Sequence, residues 1–151
     1  MNPIPVKIEI GTFGEVLVTL RLLECGVQAA PPMKDSGNDL IAIKGEKFRA
    51  IQVKTTTKER FNNLVLPALF HIVAFVQLVV ENNWLNLEKS QIFLLSKEQI
   101  TRGSYSVKNL EDYELSRELV DELFGIEPCD VEIRFIDSDN EENVDRGKAV
   151  L

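Results

Sequence analysis

Three observations predict an α/β fold with a mixed β-sheet core flanked by helices. A helical pattern comes first (residues 12–25), a β-hairpin pattern follows (39–54), and a long apolar run (64–80) leads to a buried strand (91–96). With a short strand before the hairpin, the predicted element order is αβββαβ. The chain has 151 residues, of which 44% are hydrophobic and 27% charged, so we expect a single domain over residues 1–137.

The first predicted helix covers residues 12–25. Apolar side chains recur at helical spacing from Phe13 onward, and Gly26 is a typical stop signal. Thr12 followed by Glu15 matches a capping box, in which the carboxylate caps the first turn of the helix. Two interpretations of Glu15 therefore stay open, a capping residue and a member of a functional site.

The hairpin at residues 39–54 determines which polar side chains share a face of the sheet. The Gly45-Glu46 dipeptide fits a two-residue type II′ turn, which pairs residues whose numbers add to 91. Asp39 then lies opposite Gln52, with Cβ atoms roughly 4.5–5.5 Å apart. Lys54 returns to the same face because the strand period is two. The sequence thus predicts that an acid, an amide and a lysine converge at one end of the hairpin.

The apolar run at residues 64–80 is predicted as a buried helix that begins near Pro67. The part after Pro67 is too short to cross a bilayer, and it contains His71 and Gln77, so we expect no membrane span. His71 is the only histidine and is expected to be a hydrogen-bonded helix residue. A helix that is apolar on all sides can also pack on a second subunit, so we expect a homo-oligomer, a dimer or higher, through residues 67–80.

Shorter patterns complete the chain. Residues 27–30 are predicted as an edge strand because two prolines follow them. Residues 115–124 are predicted as a helix that stops at Gly125, and residues 129–137 alternate like a half-exposed strand. Residues 138–151 form an acidic tail with too few apolar side chains to fold, and we expect it to be mobile.

The net charge of −7 is unevenly distributed. Residues 1–110 carry 13 basic and 10 acidic side chains, a net +3, whereas residues 111–151 carry 4 and 14, a net −10. The region 34–60 is locally basic and rich in hydroxyl groups, which suits contacts with DNA phosphates, although a solvated loop has the same composition. The candidate DNA-binding residues are Lys34, Ser36, Lys44, Lys47, Thr55, Thr56, Lys58 and Arg60.

Cysteine usage and the N-terminal residues predict a cytoplasmic protein. Cys25 and Cys129 lie far apart and outside any CxxC or CxxH motif, so we expect free thiols. The first ten residues lack the basic and long apolar regions of a secretory leader. With one histidine, neither a zinc site nor a Ser-His-Asp triad is predicted.

The order of these elements and three stretches, GEVLVTLRLLECGV, GNDLIAI and FRAIQVKTT, resemble the PD-(D/E)XK nuclease superfamily, which has the restriction-endonuclease-like fold. The chain is most similar in appearance to the small endonucleases of group I introns and, more loosely, to Mrr-type restriction domains. Glu15 matches the acid on the family's helix, Asp39 matches its metal-binding aspartate, and Gln52-Val53-Lys54 matches its (D/E)-x-K tripeptide with Gln in the acidic position.

The resemblance implies a metal-dependent DNA endonuclease that uses Mg²⁺ or Mn²⁺, with Glu15, Asp39, Gln52 and Lys54 as its catalytic residues. Asp39 would be the principal metal ligand, joined by the Gln52 amide oxygen, the Val53 backbone carbonyl and Glu15, directly or through water. Lys54 would orient or help deprotonate the attacking water and stabilise developing charge.

Gln52 departs from the acidic form of the motif. An amide oxygen can ligate a hard cation but supplies no negative charge, so we expect weaker metal affinity and one metal ion per site. Two alternatives stay open. One is a module with the nuclease fold that binds DNA with weak or no cleavage, and the other is a protein-interaction module that uses the acidic C-terminal segment.

Overall fold

The computed structural model describes residues 6–34, 37–62, 64–101 and 103–127. The helices are α1 (Val6–Glu24), α2 (Val107–Leu110) and α3 (Arg117–Phe124), with short 3₁₀ turns at Lys97–Gln99 and Glu111–Tyr113. The strands are β1 (Gln28–Ala30), β2 (Leu40–Lys44), β3 (Lys47–Thr56), β4 (Arg60–Phe61), β5 (Ile72–Glu81), β6 (Trp84–Ser96) and β7 (Tyr105–Ser106). The mixed α/β architecture predicted from the sequence is confirmed.

The main sheet has five strands in the order β1-β2-β3-β5-β6. Strands β3 and β5 are parallel, and the other neighbouring pairs are antiparallel. Strands β4 and β7 form a separate two-stranded antiparallel sheet. Residues 57–71 connect β3 to β5 and contain β4, so the parallel crossover contains a short strand in place of the predicted helix.

The predicted hairpin register is confirmed. Leu40 pairs with Ile51 and Lys44 with Lys47, so paired residue numbers add to 91. Gly45 has φ of 58°, the value that the first central position of a type II′ turn requires. The Asp39 N–H donates at 3.1 Å to the carbonyl of Ile51, the residue that already pairs with Leu40, so the regular ladder stops at Leu40. The Gln52 side-chain amide donates to the Asp39 carboxylate, so the two residues meet at the end of the hairpin as the sequence predicts.

Two apolar cores cover the two faces of the sheet. One core packs α1 and α3 against the first face, where Leu22, Ile51 and Ala74 are fully buried. The other core lies under β4, β7 and α2, and it centres on Phe75 and Phe93. The Lys44 ammonium ties the hairpin to α3 by pairing with Asp121. The sheet is thus the middle of three layers.

The predicted helix at residues 64–80 is wrong. Residues 64–71 are irregular and include Pro67, and Ile72–Glu81 is strand β5. Ile72, Ala74 and Val76 face one core while Val73 and Phe75 face the other, so both faces of this strand are buried. In sequence, a strand that is buried on both faces appears as a continuous apolar run. Hydrophobic periodicity does not distinguish such a run from a buried helix. The expectation of a homo-oligomer through residues 67–80 stays a prediction.

The predicted start of the first helix is also wrong. Helix α1 already includes Val6, so Thr12 lies inside it and is not the cap residue. A Cβ atom on Gly14 would lie 2.9 and 3.0 Å from Cγ2 and Cβ of Thr55, and closer still to its Oγ1. The absence of a side chain at Gly14 lets α1 cross β3 at close range. This crossing places Glu15 beside the end of the hairpin.

Other predictions have mixed outcomes. The edge strand before the two prolines is β1, and the helix that ends before Gly125 is α3. The predicted strand at residues 129–137, the tail at 138–151 and Cys129 lie outside the described residues. Cys25 is a buried free thiol. None of the helices in the described part of the chain is long and apolar enough to cross a membrane.

Candidate metal-dependent nuclease site

Just before β2 begins, the side chain of Asp39 accepts a hydrogen bond from the backbone of β3, as a backbone carbonyl of β2 would do further along the sheet. The Val53 N–H donates to Asp39 Oδ2 at 2.6 Å, and the Gln52 side-chain amide donates to the same oxygen. The N–H and C=O of one strand residue point to the same side of the strand, so the Val53 carbonyl also faces the Asp39 side. Asp39 is thereby fixed through Oδ2. Within the described residues, its Oδ1 has no hydrogen-bond partner.

Glu15 reaches this site from α1. Partial burial raises the pKa of the Glu15 carboxyl above its usual range, and the negative charge of Asp39 raises it further. Two neighbouring carboxylates repel each other, and a bound cation would relieve this repulsion. The predicted pair of acids therefore lies close enough together to interact.

The raised pKa of Glu15 gives a testable dependence on pH. Because the folded state binds the proton more tightly than the unfolded state does, the free energy of unfolding falls as the pH rises from the ordinary glutamate pKa through the folded value. We expect Glu15→Gln to be more stable than the parent protein at pH 7 in EDTA, and the difference to vanish at low pH. Thermal unfolding across the pH range checks this. A variant that is less stable at pH 7 contradicts it.

Lys54 lies on the same face as Gln52, two residues further along β3. It is half-buried, and no other residue in the described ranges bonds to its ammonium group. It opens into a groove of about 290 Å³. The polar residues that line this groove are Lys54, Thr55, Thr56, Lys58, Arg60 and Asn62. The structure thus brings together five of the residues that the sequence marks for catalysis or DNA contact.

The other candidate DNA-binding residues lie elsewhere. Lys44 and Lys47 flank the turn at the opposite end of the hairpin, roughly 15 Å from Asp39 at about 3.3 Å per residue. Lys44 donates to the Cys25 carbonyl at 2.9 Å as well as pairing with Asp121. Lys34 is exposed in the loop before the site, and Ser36 lies outside the described residues. The structure therefore does not group Lys44 and Lys47 with the catalytic candidates.

Asn38 is a residue that the sequence reasoning missed. It is only 8% exposed, and its Oδ1 is buried without a hydrogen-bond partner in the described structure. A buried polar atom without a partner is costly, and it is often explained by a missing water or ion. Its position directly before Asp39 is the signal that could have identified it.

The oxygen donors around Asp39 fit a hard divalent cation. Asp39 and Glu15 contribute carboxylates, Val53 contributes a carbonyl, and Gln52 contributes an amide whose oxygen and nitrogen can exchange places by rotation. Within the described ranges, no three His, Cys, Asp or Glu side chains come together. The two carboxylates would therefore need the neutral oxygens and water to complete the shell, as Mg²⁺ commonly requires.

Comparison of the chain with protein-family models, with curated proteins and with solved structures gave no match.

Proposed function

We propose that the chain is a metal-dependent DNA endonuclease of the restriction-endonuclease-like fold. The observation that carries the proposal is the Asp39 carboxylate, held by the Val53 N–H at 2.6 Å and by Gln52, with Glu15 as its electrostatic neighbour. Lys54 lies on the adjoining position of the same strand face. An acid pair, an amide and a lysine at one strand end are the groups that metal-assisted phosphodiester hydrolysis uses.

Asp39 and Glu15 are the residues that would hold Mg²⁺ or Mn²⁺, with Gln52 and the Val53 carbonyl in support. A bound ion would neutralise charge on the scissile phosphate and lower the pKa of a bound water. The protein's own part is to keep the Asp39 carboxylate in one orientation. The hydrogen bonds to Oδ2 achieve this and leave Oδ1 available as a ligand atom.

Lys54 is placed to act on the attacking water or on the charge that develops at the phosphate. Its ammonium group has no ion-pair partner in the described ranges, so its charge is not compensated by a neighbouring acid. The groove beyond it continues with Lys58 and Arg60, whose cations can follow a phosphate backbone. The charge around the site therefore favours a nucleic acid, and the resemblance to nucleases implies that it is DNA.

A Lys54→Ala variant tests this proposal on supercoiled and branched DNA with Mg²⁺. We expect cleavage by the parent protein, none in EDTA, and roughly a 100-fold lower rate in the variant, the usual contribution of a general acid-base group. Lys97→Ala is a control because Lys97 is an exposed lysine that directly follows β6, an edge strand separated from β3 by β5. Cleavage that survives Lys54→Ala unchanged would overturn the assignment of Lys54.

A specific contact favours the second candidate, a module that binds DNA without cutting it. In the described structure, Gln52 donates to Asp39 and so occupies the carboxylate oxygen that an acidic residue would leave to a metal. Salt-dependent DNA binding by the parent protein, without cleavage in Mg²⁺ or Mn²⁺, would support this candidate and reject the endonuclease.

A further inference from the structure

Helix α1 is apolar on two opposite faces. Its inner face packs on the sheet, where Val18 and Leu22 are fully buried. Its outer face exposes large apolar side chains to solvent. They are Ile10, Phe13, Val16, Leu20 and Leu23, each exposed by 36% to 60%. A helix with apolar residues on both sides needs a partner on each side.

Four of these side chains follow the spacing of a helix-pairing seam, and we call Phe13, Val16, Leu20 and Leu23 the α1 seam. The steps between them are three, four and three residues, which is the a/d repeat of a coiled coil. Val18 lies on the opposite side of the helix and is fully buried. The seam is therefore a narrow stripe that points directly away from the sheet.

We propose that the α1 seam binds the α1 seam of a second copy of this chain. The seam and Ile10 together expose roughly 450 Å² of apolar surface, which is within the range of the largest apolar patch on a typical monomer, a patch that is often functional. Two such patches with their polar rim approach about 1,200 Å², the lower end of specific interfaces. A two-fold axis brings the same patch to both sides, as self-association requires.

The charges around the seam favour a second copy over a charged partner. The seam residues and the flanking Thr12 and Thr19 are uncharged. At the C-terminal end of the seam, Arg21 and Glu24 pair with each other within α1 at 2.9 Å. A second uncharged stripe therefore suits this surface better than a charged partner does.

The double variant Val16→Glu/Leu23→Glu tests the proposal by light scattering after gel filtration over a range of concentrations. We expect the parent protein at an even multiple of the 17.1 kDa chain mass, and the variant at half of that mass or less. The control is Val65→Glu/Leu69→Glu, which changes two exposed apolar residues in the irregular segment before β5 and should keep the parent mass. A parent protein that stays at 17.1 kDa, or a seam variant with the parent mass, overturns the proposal.

A cysteine variant keeps the test decisive if the charged variant does not fold, as judged by circular dichroism. Val16→Cys in a Cys129→Ser background, alone and mixed with Leu20→Cys in the same background, should form a disulfide between chains under mild oxidation, because Val16 meets Val16 in a parallel pair of α1 helices and Leu20 in an antiparallel pair. Leu69→Cys in the same background should not. Cross-linking of Leu69→Cys equal to that of the seam variants, or no cross-linking of Val16→Cys either alone or in the mixture, contradicts the α1 pair.

Discussion

Replacement of Asp39 by asparagine is expected to lower metal-dependent DNA cleavage by roughly 100-fold or more while the protein stays folded. The new amide side chain would keep an oxygen that accepts from the Val53 N–H, so the hydrogen bond at the end of β2 survives. The change removes the negative charge that strengthens the binding of a divalent cation at this position. Cleavage rates with Mg²⁺ and thermal unfolding curves of the same preparation separate the two effects.

The matched control for Asp39→Asn is Asp112→Asn, because Asp112 is an exposed aspartate in the 3₁₀ turn before α3. It should cleave like the parent protein. Unchanged cleavage by Asp39→Asn would rule out Asp39 as the principal metal ligand. A large loss of stability in Asp39→Asn would instead show that its carboxylate is a structural group.

Gly14→Ala is expected to destabilise the protein by about 1–3 kcal/mol, the usual cost of overpacking a well-packed contact. Three side-chain atoms of Thr55 would lie within 3.0 Å of the new methyl group, so rotation of Thr55 alone does not relieve the contact. The backbones of α1 and β3 must move apart. Glu15 directly follows Gly14, and Lys54 directly precedes Thr55, so this movement displaces both catalytic candidates. We therefore also expect the rate of cleavage to fall.

Gly11→Ala is the control for this effect because it lies in the same helix and a Cβ atom there has nothing within 4 Å. Since alanine favours a helix over glycine, Gly11→Ala should raise the free energy of unfolding by roughly 0.5–1 kcal/mol. Thr55→Ala in the Gly14→Ala background should recover part of the lost stability, because it removes the two atoms that approach closest. Chemical denaturation of the four proteins measures these differences. Equal effects of Gly11→Ala and Gly14→Ala would contradict the close crossing.

The hairpin that carries Asp39 could be predicted in detail because its information is local. The turn chemistry at Gly45 fixes the register, and the register fixes which side chains share a face. This register predicts that Asp39 and Gln52 lie close together, and the Gln52 side-chain amide donates to Asp39. The stop signals at Gly26 and Gly125 are equally local, and the helices end there.

The elements whose form depends on distant packing could not be predicted. Strand β5 looks like a helix in sequence because both of its faces are buried, and only its pairing with β3 and β6 decides its conformation. The first turns of α1 contain β-branched residues and Gly11, which carry little helical signal. Packing of α1 on the sheet outweighs that weak propensity.

The residues of the candidate site also divide into those that the local sequence identifies and those whose position depends on the fold. Glu15 could be proposed from the resemblance, but its position beside Asp39 depends on the crossing of α1 and β3 at Gly14. Composition alone also marked Lys44, whose ammonium group the fold uses to hold α3. The position of Asn38 directly before Asp39 is its only signal in the sequence, because a buried oxygen without a partner is visible only in three dimensions.

A crystal of the parent protein soaked in Mn²⁺ is the sharpest test of metal binding at Asp39, because anomalous scattering locates the ion without reference to activity. We expect one anomalous peak per chain, with Asp39 as a direct ligand at about 2.1–2.3 Å and Glu15 bound directly or through a water. Soaked crystals of Asp39→Asn should lack the peak. A well-ordered site without manganese at Asp39, or an ion bound only elsewhere on the chain, would contradict the metal-dependent nuclease site.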